Sequence, residues 1–385
     1  GCRTPIGTIG GPFKPLAPVE LTIPVMQNLI KRSGIDPVII DDVIWGCNYQ
    51  RTYKENNLAR VAAVKAGLPV TVPGITIHRN CTSSMSAIQM GFYQIRAGEA
   101  ECIMAGGSDS MSTAPHMVFN ARYGQKYGHM EMRDSMWDSL TNLGVGPAMG
   151  ITAENVADKY GITREQMDAY SLRSQQRAVA AIDAGRFEEE IIPVTVKTRK
   201  SETTYTVDEY PKRNATLEGL QKLKPAFKEG GKVTAGNASG MNDASSGVIL
   251  MSEEKAKELG CPIIAKVVSV ATTGVEPELM GIGPISSTKK ALEKAGLTVD
   301  DIDLFEINEA FSSQCLACQQ ELGVPDDKLN VNGGGISLGH PVGATGSRIV
   351  ITLMYELKRR KQRYGVATLC AGGGMGTTVV IEMMQ

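Results

Sequence analysis

Two stretches of this chain run through the same order of elements, and that parallel constrains the fold more than any other feature. In the first, the strand-like Ile75-Thr76-Ile77 leads to Cys81, apolar residues then recur at helical spacing (Met85, Ile88, Phe92, Ile95) as far as Gly98, and a short apolar strand from Cys102 to Ala105 runs into Gly106-Gly107. In the second, a glycine-rich loop carrying His340 precedes a buried helix from about Ala344 to Leu357, the strand Val366 to Leu369, and Cys370 ahead of Gly372-Gly373-Gly374. Apolar strands alternating with amphipathic helices predict a layered α/β fold. Two such units predict two similar halves, each offering a reactive edge to a shared site, and 385 residues suffice for two cores.

Between about Ser112 and Met241 the alternation is lost and Tyr, Met, Lys and Glu become frequent. This segment reads as an inserted cap with helices such as Thr152 to Tyr160 and Arg164 to Ala184, the second opening on a capping box with Thr163 as N-cap and Gln166 three residues on. It closes on Thr234-Ala235-Gly236-Asn237-Ala238-Ser239-Gly240, small residues against which an extended ligand can lie.

Charge and hydropathy exclude several classes. The net charge is −1, and the one basic run, Lys358-Arg359-Arg360-Lys361, reads as a solvated helix end, so no nucleic-acid partner is expected. No stretch approaches the roughly 18 apolar residues of a membrane span, and no charged-then-apolar leader is present, which gives the expectation of a soluble, cytoplasmic protein. Eight cysteines are too sparse for a disulfide scaffold and suit a reducing compartment. The Asn-x-Ser/Thr matches at Asn80, Asn214 and Asn237 read as chance. The first residues begin in mid-pattern, so a leading strand is expected upstream or outside this numbering.

Four short segments carry the chemistry: Asn80-Cys81-Thr82-Ser83, Asn308-Glu309-Ala310-Phe311, Gly339-His340-Pro341-Val342-Gly343 and Cys370-Ala371-Gly372-Gly373-Gly374. Each sets a Cys, His or Asn among small residues at a strand-to-turn junction, where a side chain can meet a substrate. Cys81 at a helix N-terminus is the nucleophile: a free thiol has a pKa of about 8.5, and the helix end with a nearby imidazole would move it toward thiolate. His340 takes the thiol proton, the N–H groups of Gly372, Gly373 and Gly374 are the material of an oxyanion hole, and Asn308 orients a water or His340. One thiol attacking an acyl group while the other moves a proton at carbon is the chemistry of a carbon–carbon bond beside a thioester.

The remaining candidates read as structural. Cys2, Cys47, Cys102 and Cys261 are small hydrophobes. Cys315 and Cys318 share one apolar helical stripe with Phe311 and Leu322 and no second cysteine pair exists, so no metal site is expected. His78, His116 and His129 are surface or core histidines, and the glycine runs match neither a Walker pattern nor a full Gly-x-Gly-x-x-Gly.

Along nearly its whole length the chain resembles the thiolase family, which includes acetyl-CoA acetyltransferases and 3-ketoacyl-CoA thiolases. The resemblance lies in Arg3-Thr4-Pro5-Ile6-Gly7, Asn80-Cys81, Met149-Gly150-Ile151-Thr152-Ala153-Glu154-Asn155, Thr234 to Asp243, Asn308 to Phe311, Asn332-Gly333-Gly334-Gly335 through Gly346, and Cys370 to Gly376. It implies a five-layered fold of two βαβαβαββ halves with five-stranded mixed sheets, residues 1–112 with 242–262 forming one half, 263–385 the other, and 113–241 an inserted loop domain that binds coenzyme A. It implies that Cys81 carries the acyl group, His340 activates Cys81, Cys370 moves the proton at Cα, and Asn308 positions a water that completes one oxyanion hole with His340, while the N–H groups of Cys81 and Gly372 form the other. Ser239, Ala235 and Ala238 would wall the pantetheine, Phe311 and Met149 would line the thioester region, and Lys212 or Arg213 would lie near the adenine and phosphates.

Coenzyme A and acyl-CoA are then substrates, with no cofactor bound permanently, and a homodimer or homotetramer is implied, with room for an accessory subunit. Four positions depart from common family patterns: Ser84 where glycine is frequent, Ala148 where a His commonly precedes Met-Gly, and Asp109-Ser110 where Glu-Asn is frequent. The shortened Ala148, with Ser84, leads to the expectation of a bulkier acyl substrate than acetoacetyl-CoA. The alternatives weighed are a decarboxylating ketosynthase, against which Cys370 speaks; a papain-like hydrolase, in which His precedes Asn in the chain; and a non-catalytic acyl-CoA-binding homologue, which would be expected to lack one of the four residues.

Overall fold

A computed structural model describes residues 1–50 and 55–384; residues 51–54 and 385, which fall in the expected first and last segments, lie outside the described residues. Five strands run across the first sheet in the order Cys2–Arg3, Asn242–Met251, Cys102–Ser110, Asp42–Gly46 and Gly74–Ile77, and the short Gly7–Thr8 also pairs with Asn242–Met251. The last three are mutually parallel, while Asn242–Met251 is antiparallel to its neighbours. The second sheet repeats the scheme with Ala265–Gly274, Met375–Met383, Tyr364–Ala371 and Leu304–Ile307.

Its fifth position is a single bridge between Phe305 and Leu329, where a full strand was expected. The reason is local. Asn330 turns the chain in the left-handed region (φ 44°), and its side-chain amide takes over the pairing, accepting from the Ile307 N–H and donating to the Ile307 carbonyl, both at 2.8 Å. A side chain thus satisfies the backbone groups that a fifth strand would have paired.

Strand residues alternate between two cores, as the pleat requires. Ile103 and Ala105 face inward onto the helices Ser83–Arg96 and Thr345–Arg360, which fill the space between the sheets through Met85, Ile88, Ile349 and Leu353, with Leu304, Ala367, Leu369 and Val379 closing from the second sheet. Cys102 and Met104 face outward, under the helices Pro18–Ser33 and Leu58–Ala66. The helices Gly283–Ala295 and Ser312–Leu322 cover the far face of the second sheet over Phe305, Ile307, Val366 and Val380. The result is five layers, helix–sheet–helix–sheet–helix. Cys315 and Cys318 are buried in that outer layer, in keeping with their apolar stripe.

The two halves approach closely at their reactive ends. A Cβ on Gly107 would overlap the Gly343 carbonyl oxygen, so only glycine lets the loop after His340 lie against the first sheet. Beside it, Ser84 accepts a hydrogen bond from the Ser347 N–H at 2.9 Å, stitching the starts of the two central helices.

The chain leaves the first sheet after Ser110 and returns at Asn242. Between them come the hairpin His116–Val118 with Met132–Asp134, the helices Ser135–Thr141, Met149–Lys159 and Arg164–Asp183, the hairpin Val194–Lys197 with Glu202–Tyr205, and the helix Leu217–Gln221. Thr163 and Gln166 form the expected capping box, whereas the preceding helix starts at Met149 rather than Thr152, because Ala148 already has extended ψ and accepts the first helical hydrogen bonds. The basic run is a helix end, with Arg359 and Arg360 both on Glu356.

Among the buried ion pairs, Arg3 bonds Glu190 and Asp208 at 2.7 Å each, whereas Arg348 Nη1 of the second central helix stands 3.6 Å from Glu306 Oε2. Burial outweighs the attraction of Arg348 and pushes the Glu306 carboxyl up to about 8. The folded chain therefore keeps a proton that the unfolded chain releases from its ordinary value of 4.5 upward, and the contribution of this group to stability, full below that value, declines as pH rises and is lost through about pH 8. In thermal unfolding between pH 5 and 9, the wild-type Tm should drop with rising pH relative to that of Glu306→Gln. Parallel curves would show that Glu306 is ionised throughout.

Candidate active site

The nucleophile turn is built from short-range hydrogen bonds. After the strand Gly74–Ile77 the chain reverses at Asn80, which adopts φ 46°, a region that Asn tolerates better than most side chains. The Asn80 carbonyl accepts from the Ser83 N–H at 3.1 Å and from Ser83 Oγ at 2.7 Å, and Ser83 Oγ accepts from the Arg79 N–H at 2.9 Å. Cys81 is thereby held one residue ahead of the Thr82 N-cap of the helix Ser83–Arg96. Its own N–H and the N–H of Gly372, from the other half, both favour the thiolate. Burial nevertheless dominates and pushes the Cys81 thiol up to about 11, with Asp109 adding repulsion. The expected shift toward thiolate does not occur at rest, because among the described residues no cation acts on the sulfur and desolvation exceeds what two N–H groups return.

A base is therefore required, and His340 has the right form. Its N–H donates to Asn242 Oδ1 at 3.0 Å, and its ring is buried. Nδ1 lies 2.7 Å from Thr345 Oγ1, and that hydroxyl donates its own proton to the Pro341 carbonyl at 2.9 Å. Thr345 can then only accept, so the proton sits on Nδ1 and the lone pair on Nε2, which has no partner among the described residues. Desolvation, with the Arg348 charge as a smaller cause, lowers the imidazole to about 3, so the ring is neutral at physiological pH.

Asp109 sets the loop that carries this imidazole. Buried at the end of the strand Cys102–Ser110, it accepts from the Gly343 N–H at 2.6 Å, the Asn48 N–H at 2.9 Å and the Tyr49 N–H at 3.0 Å. Sequence reasoning noted Asp109 only as a departure from the family. The usable signal was a carboxylate within an otherwise small and buried strand.

Asn308 and Cys370 stand at the carboxyl ends of adjacent parallel strands, the Asn308 N–H donating to the Thr368 carbonyl at 2.9 Å. Both amide atoms of Asn308 are buried without a partner among the described residues, an arrangement that calls for a water or ligand. Next to it, Glu309 anchors the loop by accepting from Tyr170, Ser174, Asn330 and the Ile336 N–H. Burial raises the Cys370 thiol well above the ordinary range, and the neighbouring Cys81 and Cys318 raise it further. The two catalytic candidates are thus electrostatic neighbours.

Cys81, Asn80 and Gly372 line a cavity of about 310 Å³ together with Val342, two residues after His340, and with Asn48, Tyr49, His78, Leu143 and Met149. His78, expected to be a bystander, is therefore a wall residue. Tyr49 and Leu143 carried no signal of their own in the sequence, because they reach the cavity from different elements. A second depression, around Ile162, Gln166, Leu316 and Gln319, holds none of the candidate catalytic residues.

The candidate ligand contacts divide. Met149, Ala238 and Phe311 share one apolar cluster with Cys370, Ala238 forms a backbone bridge to Phe311, and the Ser239 N–H donates to the Ala310 carbonyl at 2.9 Å. Phe227 meets Phe311 edge-on at 6.3 Å, and Ala235 is exposed. Lys212 and Arg213 do not line the cavity: Lys212 Nζ lies over the Tyr210 ring at 5.8 Å, and Arg213 pairs with Asp183 at 2.8 Å. Ser84 is fully buried in the seam between the central helices and does not widen the cavity, which leaves Ala148 as the sole basis for a larger acyl group.

Residues 1–254 match the family described as thiolase, N-terminal domain, and residues 261–383 match thiolase, C-terminal domain. An acetyl-CoA acetyltransferase of Syntrophomonas wolfei is 49% identical over 388 aligned residues, covering 100% of this chain and 98% of that protein. The crystal structure of the Bacillus anthracis acetyl-CoA acetyltransferase superposes with a TM-score of 0.97 at 48% identity, covering 100% of this chain and 97% of that one. Human mitochondrial 3-ketoacyl-CoA thiolase in complex with CoA superposes with a TM-score of 0.96 at 43% identity, covering 100% and 96%. With both family domains spanning nearly every residue and two thiols meeting where the halves join, this chain belongs to the thiolase family.

Proposed function

We propose that this enzyme is an acyl-CoA C-acyltransferase that cleaves a 3-ketoacyl-CoA with free coenzyme A, and in reverse condenses two acyl-CoAs, through an acyl-Cys81 intermediate. His340 Nε2 takes the Cys81 proton as the sulfur attacks the 3-keto carbon, and the N–H groups of Cys81 and Gly372 hold the oxyanion. The C2–C3 bond breaks, its electron pair passes to the enolate of the departing acetyl-CoA, and Cys370 protonates that carbon. A water held by Asn308, with the imidazole, stabilises the enolate oxygen. Coenzyme A then gives its thiol proton to Cys370 and attacks acyl-Cys81, the shortened acyl-CoA leaves, and the protonated His340 returns its proton to the departing Cys81 sulfur, which restores both thiols. The observation that supports this assignment best is that two thiols are electrostatic neighbours while the loop carrying a neutral imidazole reaches the Cys81 cavity through Val342.

Residues 113–241, with the wall at Ala235, Ala238 and Ser239, are assigned to coenzyme A, and a homodimer or homotetramer in the cytoplasm is the working assembly. Lys212 and Arg213 are retained as contacts to the adenine end. Ala148 opens the helix whose first residue, Met149, lines the cavity. A short side chain there leads to the prediction that branched or aryl 3-ketoacyl-CoA thioesters are cleaved with a kcat/KM at least equal to that of acetoacetyl-CoA. A panel of such thioesters assayed with free coenzyme A tests this, and a clear preference for acetoacetyl-CoA over every larger member would refute it.

A further inference from the structure

We infer that Asn80 is a positioning residue for acyl transfer, its side chain clamping the glycine loop of the second half so that the Gly372 N–H stays on the Cys81 sulfur. Asn80 Nδ2 donates to the Gly372 carbonyl at 2.8 Å, a link between residues 292 positions apart. The Asn80 backbone is itself fixed, since its carbonyl accepts from the Ser83 N–H, from Ser83 Oγ and, at 3.3 Å, from Asn48 Nδ2. The clamp therefore has a rigid end and a mobile end.

The mobile end needs restraint. Gly372 leads two further glycines with φ of 87° and 81°, a run with more backbone freedom than any other residue type would have. The other hydrogen bonds close the turn around these glycines, from the Gly374 N–H to the Ala371 carbonyl and from the Val275 N–H to the Gly374 carbonyl, with Ala371 paired to Met375, and none of them engages the Gly372 peptide itself. An N–H that stabilises an oxyanion acts through being fixed before the charge develops. Glycine at position 80 would also satisfy the left-handed turn, so the turn alone does not account for a side chain there; the bond to Gly372 does.

This inference rests on Cys81 being the acylated residue, and the experiment separates the two claims. Acyl-adduct formation on Cys81 from an acyl-CoA is followed by rapid quench and mass spectrometry, with alkylation by iodoacetamide at pH 8 and thermal unfolding measured alongside. Asn80→Gly keeps the turn and removes the clamp, and Asn80→Asp keeps the turn and the size while turning an acceptor toward the Gly372 carbonyl. Both variants should acylate and alkylate about tenfold more slowly or worse, with KM for the acyl-CoA little changed. Asn80→Gly should unfold near the wild-type temperature. Wild-type acylation in either variant overturns the clamp, and if Asn80→Gly fails to fold, Asn80→Asp alone decides. An absence of any adduct on wild-type Cys81 would overturn the nucleophile assignment instead.

Discussion

Cys81→Ala should lower thiolysis of any 3-ketoacyl-CoA by about 10⁴-fold or more while leaving thermal unfolding close to that of the wild type. The loss is large because acyl transfer has no second path: the attacking atom is gone, and what remains is binding and the oxyanion groups. Stability should hold because Cys81 lies in a turn whose hydrogen bonds are made by Asn80 and Ser83 and not by the thiol. In the wild type, mass spectrometry after mixing with acyl-CoA should place the acyl group on Cys81. The resting protonation states add a pH signature. With the thiol near 11 and the imidazole near 3, no thiolate–imidazolium pair forms at rest, and alkylation of Cys81 should climb steadily from pH 6 to 10 without a plateau at neutral pH. A plateau below pH 7 would mean that a resting ion pair exists. An adduct on Cys370 alone would exchange the roles of the two thiols.

The second large effect should come from Cys370→Ala, and it should divide the reaction. Formation of acyl-Cys81 from an acyl-CoA needs the nucleophile, His340 and the N–H groups of Cys81 and Gly372; the substitution removes only the proton donor to the departing coenzyme A thiolate, which can leave unprotonated, so that half-reaction should stay within about tenfold of wild type. Condensation, and exchange of the Cα proton of acyl-CoA for deuterium in heavy water, should fall by about 10²-fold or more, since the group that takes that proton is gone. Burial and the two neighbouring thiols hold Cys370 in its protonated form until substrate arrives, which suits a group that first delivers a proton to carbon in thiolysis. Full exchange in this variant would make Cys370 structural and leave a thioester hydrolase or acyl carrier as the better description.

Much of the site was legible in residue types because strand ends carrying chemistry have a local signature. Cys81, Asn308 and Cys370 each lie at the end of a strand or in the turn that follows one, as their setting among small residues led one to expect, whereas His340 stands in the loop between the short helix Gly335–Leu338 and the helix Thr345–Arg360 and not at a strand end. The central helices were equally readable, since Met85 and Ile88 repeat at the period that faces both sheets. Periodicity could not foresee the second sheet's missing strand, because the pairing there is made by the side chain of Asn330 and not by backbone. Ser84 was misjudged for a related reason: a serine one turn into a helix reads the same whether it faces a cavity or a neighbouring helix, and only the crossing with Ser347 decides.

The sequence by itself determined which chemistry is available, since two thiols, an imidazole and an amide in turns among small residues suit little besides acyl transfer coupled to proton transfer at carbon. The tertiary structure alone decided how those groups are poised. The tautomer of His340 follows from Thr345 and Pro341, the resting thiol of Cys81 from desolvation by both halves, and the aim of the Gly372 N–H from an asparagine 292 positions away. Protonation state and orientation are sums over everything that surrounds a group, and those surroundings come from segments that meet only when the two halves close on each other.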